Sequence, residues 1–63
     1  MLYTATIRDV TILSEFELAR VLDLLADIQS PDEDAVVWQG QRVVLVRHGD
    51  GRVIAVEAVP AAA

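Results

Sequence analysis

The chain has no cysteine, no lysine, one histidine, two prolines and three glycines in 63 residues. Without cysteine there is no disulfide and no thiolate metal site. A lone His48 excludes a histidine-rich metal centre. No run approaches the roughly 20 apolar residues that span a bilayer, so no membrane contact is expected. Met1-Leu2-Tyr3-Thr4 lacks the basic start and apolar run of a secretory signal, which makes the cytoplasm the expected compartment. A chain this short makes one domain, residues 1–63, and buries only about 60% of the surface its unfolded form exposes.

What is present is apolar bulk and negative charge. Residues of apolar type make up 54% of the chain, which argues for a folded core rather than a disordered acidic tail. The net charge is −5. It is one-sided. Glu15, Glu17, Asp23, Asp27, Asp32, Glu33 and Asp34 fall within residues 15–34, opposed there by Arg20 alone. The other residues carry a slight positive excess. One helix-sized segment therefore holds the negative charge, and such a field suits a basic partner surface.

Residues 2–7 alternate, with Tyr3, Ala5 and Ile7 on one side, and predict a strand. The apolar phase then moves to Val10 and Ile12, which predicts a bulge near Arg8-Asp9. Ser14-Glu15-Phe16-Glu17 matches a capping box, and Leu13 with Leu18 a hydrophobic staple, so a helix is predicted over about 15–29. Leu18, Val21, Leu22, Leu25 and Ile28 form its apolar stripe. Phe16, Arg20, Asp23 and Asp27 lie opposite, where Arg20 can relieve Asp23. Pro31 ends the segment, and at most one tight turn is expected after Ser30. Gly40 and Gly49-Asp50-Gly51 then separate three apolar strands as two hairpins. A three-residue loop at 49–51 sets Val46 opposite Ile54 and Val44 opposite Val56. Residues 59–63 are expected to fray. The predicted fold is α+β, β-α-β-β-β, with one helix on an antiparallel sheet.

In that register Ala35, Val37, Val44, Val46, Ile54 and Val56 share one face. Val36, Trp38, Val43, Leu45 and Val53 share the other, with Ala55. Both faces are apolar, whereas a half-wet antiparallel sheet normally alternates. One helix covers one face. The second face is expected to self-associate through Val36, Trp38, Val43, Leu45 and Val53, or else to lie under residues 2–12.

Few residues point to chemistry. His48-Gly49-Asp50-Gly51 leads into a strand, not a helix, and no lysine follows, so it reads as a turn and not a phosphate loop. His48 with Asp50 as base and orienter would need a nucleophile, and Ser14 and Ser30 are taken as helix-boundary residues. Asp32-Glu33-Asp34 lacks the spacing of a calcium loop. No enzyme activity, cofactor or metal is expected. Asp27 sits near a helix C-terminus, where the dipole disfavours an acid, and Asp23 repels it from one turn away. Phe16 could anchor a contact ringed by charge.

No family motif stands out. Two expectations follow. In the first, Phe16, Glu17, Asp23, Asp27, Asp32, Glu33 and Asp34 bind a basic, nucleic-acid-binding protein and mimic the phosphates it recognises. Small phage-encoded inhibitors of the anti-restriction and anti-CRISPR kind share this size and charge, an analogy of type. Nucleic acid itself is not an expected ligand. In the second, the chain is a structural or regulatory homodimer, antitoxin-like or an assembly subunit, acting through its apolar sheet face.

Overall fold

A computed structural model describes residues 1–56. The tail expected to fray, 59–63, lies outside the described residues. Strands β1 (Tyr3–Ile7) and β2 (Val10–Glu15) precede helix α1 (Leu18–Ile28). Strands β3 (Ala35–Gln39), β4 (Arg42–Arg47) and β5 (Val53–Ala55) follow it. All five form one antiparallel sheet in the spatial order β2-β1-β3-β4-β5. The α+β class and the single helix on an antiparallel sheet are as predicted.

The N-terminal segment is where the element order departs from expectation. The phase shift at Arg8-Asp9 is a chain reversal, not a bulge in one strand. Arg8 and Asp9 have φ of 54° and 64°. Two successive left-handed residues make the turn whose twist matches a two-residue hairpin. Asp tolerates that conformation, but Arg does not favour it, so no Gly or Asn marks the turn in the sequence. The order is therefore β-β-α-β-β-β.

The hairpin also moves the helix start. Ser14 and Glu15 pair with Thr4 and Tyr3 in β2, so their backbones are already engaged by the sheet. The capping box does not form. Ser14 Oγ instead lies 3.4 Å from Thr4 Oγ1, and the helix begins after Glu17 with no side-chain cap. Packing holds it in place. Val21 and Leu25 are fully buried, and Leu18 and Leu22 pack at the border, while Ile28 is exposed.

Two bulges set which side chains face the helix. The β1–β2 register shifts between Ala5 and Thr6, leaving Ile12 as the extra residue. In the β3–β4 pair, Trp38 faces Val43 but Val37 faces Leu45, so Val44 is extra. The helix-side row is Leu13, Ala5, Val37, Leu45 and Ala55, with Ala55 exposed at the β5 edge. Ala5, Ala35, Val37 and Leu45 form the core with Val21 and Leu25. Alanine at Ala5 and Ala35 lets the helix approach the sheet closely.

The second hairpin is as predicted. His48 and Arg52 close it through His48 N–H to Arg52 O at 2.8 Å, leaving 49–51 as the loop. Val46 pairs with Ile54, and Val56 N–H reaches Val44 O. The single turn after the helix is present too, with Glu33 N–H donating to Ser30 O at 3.1 Å.

Candidate functional surfaces

The acidic residues are strung along the helix and the turn beyond it. They do not converge on one point. Glu17 precedes the helix, and Asp32 lies in the turn after it. An 11-residue helix separates the two by roughly 16 Å. Asp23 and Asp27 lie between them, exposed and one turn apart.

Ion pairing divides the set. Arg8 Nε lies 3.9 Å from Glu33 Oε2, and Glu33 Oε1 also accepts from Ser30 N–H at 3.3 Å. Asp34 Oδ1 is 2.9 Å from His48 Nδ1. Arg20 Nε lies 4.0 Å from Glu15 Oε1 and so does not relieve Asp23 as expected. Among the described residues Glu17, Asp23, Asp27 and Asp32 have no ion-pair partner. The helix places charge against its own dipole. Arg20 is near the N-terminal end and Asp27 near the C-terminal end, with no basic residue in the last turn.

Phe16 lies outside the helix, not in its first turn, and is 74% exposed. With Glu15, Glu17 and Arg20 it lines an open hollow of about 330 Å³. An exposed ring flanked by two carboxylates and a guanidinium has both apolar area and charge to offer a partner.

The turn that closes this end is rigidly tied. Gln29 Nε2 donates to Glu33 O at 2.7 Å and to Arg47 O at 2.8 Å, and Gln29 Oε1 accepts from Arg47 Nη1 at 2.7 Å. One amide thus joins the helix end, the 30–34 turn and β4. Gly49 packs so closely on Ser30 and Pro31 that a Cβ there would strike the Pro31 carbonyl. Nothing in the sequence singled out Gln29, because its role depends on three segments meeting.

His48 and Asp50, the candidate base and orienter, are not brought together by a hydrogen bond. His48 bonds Asp34, and Asp50 accepts from Arg52 through both its backbone N–H (3.0 Å) and its Nε (2.8 Å). The backbone N–H of Arg52 foremost, and its guanidinium next, hold the Asp50 carboxyl below its usual value. Among the described residues no three His, Asp or Glu side chains are grouped to hold a metal ion. Among the described residues no helix is long and apolar enough to cross a membrane.

The other surface is the sheet face away from the helix. One row across it reads Thr11, Thr6, Val36, Val46 and Ile54. A second reads Ser14, Thr4, Trp38 and Val43. Residues 2–12 do not fold over it, since they form β1 and β2 of the same sheet. The side chains are half-buried or exposed, with Ile54 50% exposed. Trp38 Nε1 donates to Thr6 Oγ1 at 3.0 Å, so the indole lies along the face with its polar edge satisfied.

Of the five residues expected on this face, Val36, Trp38 and Val43 are there. Leu45 is not. It is 5% exposed, packed under the helix. Val53 is not either, since it pairs with Arg47, whose other partner is buried Ala35. The Val44 bulge is the reason, because one extra residue reverses the facing of the strand beyond it. Val46 and Ile54 take the places of Leu45 and Val53. Comparison with family models, with curated proteins and with solved structures returns no match.

Proposed function

We propose that this protein is a non-enzymatic binding module that presents its acidic helix side to a basic, nucleic-acid-binding protein and so inhibits or modulates it. One observation carries the reading. Asp23 and Asp27 are exposed, unpaired among the described residues and one helical turn apart, with Asp27 at the end where the dipole disfavours it. Stability alone would favour a lysine or an amide at Asp27. Glu17 precedes the helix and Asp32 follows it, so both add negative field at its ends, and Phe16 supplies an apolar contact. Glu33 and Asp34, already paired with Arg8 and His48, contribute field more than direct contacts.

Carboxylates so spaced compete with phosphates for arginines and lysines, which supply most of the affinity of nucleic-acid binding. Association with such a partner is steered by charge and suppressed by salt. The test is affinity capture from the native host at low and high salt, followed by competition. The expected ligand is a nucleic-acid-binding protein, released by salt and displaced by duplex DNA or RNA. Asp23→Lys with Asp27→Lys should abolish capture while leaving the fold intact. Capture indifferent to salt and to the double reversal would remove this reading.

A further inference from the structure

We infer that the open sheet face is covered by a second copy of this chain, giving a weak face-to-face dimer with the two helices outermost. The face carries a contiguous apolar half, Val36, Trp38, Val43, Val46 and Ile54, on strands β3 to β5. Its other half, on β1 and β2, is made of threonines and Ser14. No charged side chain falls in either row. The charged residues inside the strands, Glu15, Arg42 and Arg47, all pair in rows on the helix side. A face this neutral offers nothing to a basic partner.

It does match itself. A two-fold axis lying between the sheets and perpendicular to the strands sets each strand over its own counterpart. The apolar half then meets the apolar half, and hydroxyls meet hydroxyls, as an isologous interface requires. Charge placement permits the same arrangement. Each chain carries a net −5, but the unpaired Asp23 and Asp27 lie on the far side of the helix from the sheet. In the face-to-face pair those charges sit at opposite poles, beyond the roughly 8 Å over which charges act in physiological salt. The segment that follows β5 in sequence offers less apolar bulk than a second copy. Residues 57–63 contain one large apolar side chain, Val59, against five on the face.

The size of the face sets the affinity. Four residues along each of β1 to β4 and three along β5, at about 3.4 Å per residue and about 4.8 Å between strands, give a patch on the order of 310 Å² in projection. That is below the roughly 800 Å² per partner of a standard complex, so the dissociation constant is expected in the micromolar range or weaker. This inference is independent of the acidic-side reading, and salt separates them. Salt suppresses binding to a basic partner but strengthens an apolar contact between two like-charged chains.

Sedimentation equilibrium of the full chain over about 1–500 µM, in 0.05 and 0.5 M salt, tests it. A monomer–dimer equilibrium is expected, tighter at the higher salt. Val43→Lys should raise the dissociation constant at least tenfold. Ile54→Lys, on a half-exposed edge position, should do the same and serves if Val43→Lys does not fold. Asp23→Lys with Asp27→Lys should not loosen the dimer. A monomer throughout overturns the inference: Trp38 shielded from acrylamide would then assign the face to the chain's own tail, and Trp38 open to acrylamide to a foreign partner. A dimer unaffected by both lysine variants overturns it as well.

Discussion

The two faces of the sheet are made from the same kinds of residue and meet opposite fates. Under the helix the fully buried positions include Ala5 and Ala35, and the bulk comes from Val21, Leu25, Val37 and Leu45. On the open side stand Trp38, Val36, Val43, Val46 and Ile54, larger on average and less buried. Hydrophobicity alone does not tell these faces apart. What distinguishes them is fit, because small side chains bring the helix axis close and larger ones stand where nothing in the described chain covers them. Strand β4 shows the contrast within two residues. Leu45 is buried and its neighbour Val46 is on the open face.

The largest test of that contrast compares these neighbours. Leu45→Ala should cost about 2–5 kcal/mol, through lost transfer energy and a cavity under the helix. A domain of this size has total stability on the order of 3–9 kcal/mol, so the variant should lose a large share of it. Val46→Ala should cost under about 1 kcal/mol in dilute monomer, where that side chain is half-exposed already. Urea denaturation at concentrations below the dimer range reads both. Equal losses would mean that the open face is as well packed as the covered one.

Next in size are the contacts that keep the covered face covered. Gly49→Ala forces the β4–β5 loop away from Ser30 and Pro31, where the backbone cannot yield without moving the turn. A loss of about 1–3 kcal/mol is expected, as for overpacking elsewhere. Gln29→Ala leaves the Glu33 and Arg47 carbonyls without their donor and the Arg47 guanidinium without its acceptor. Its cost should be about 1–3 kcal/mol. Hydrogen exchange should then speed up in the 30–34 turn and the end of β4 before it does in β1. Uniform acceleration over the sheet would show that Gln29 supports the whole fold and not this junction.

These same places mark where the sequence is legible and where it is not. The helix stripe and the 49–51 hairpin depend on neighbours a few positions apart, so periodicity and turn chemistry reveal them. The Val44 bulge leaves no such trace, because Val43-Val44-Leu45-Val46 is apolar at every position and any phase satisfies it. The Arg8-Asp9 turn shows in the sequence only as a slip of apolar phase, which a bulge explains equally well, since neither residue demands a left-handed backbone. Ser14 misled because a capping box and a strand end look alike until a pairing strand is placed beside it. Of the surface sites, the unpaired acids were visible as a charge excess. Their division into paired and unpaired members was not, since Arg8 and His48 reach Glu33 and Asp34 from distant strands and turns.

The smallest effect belongs to Asp50, which sits in a turn and on neither face. Its carboxyl is held below the usual 3.8, chiefly by the backbone N–H of Arg52, with desolvation opposing it and the Arg52 guanidinium adding to it. A depressed carboxylate adds stability that is present above its unfolded pKa and fades as pH falls through the lower folded value. Asp50→Asn should therefore lose that small increment at neutrality, and the acid limb of its stability profile should be slightly less steep. The cause can be separated from the charge. Arg52→Gln removes the guanidinium but keeps the backbone N–H, so most of the depression should persist. NMR titration of the Asp50 carboxyl in both chains reads it directly. A return to the ordinary carboxylate value in Arg52→Gln would show that the side-chain charge, not the turn's backbone, controls this group.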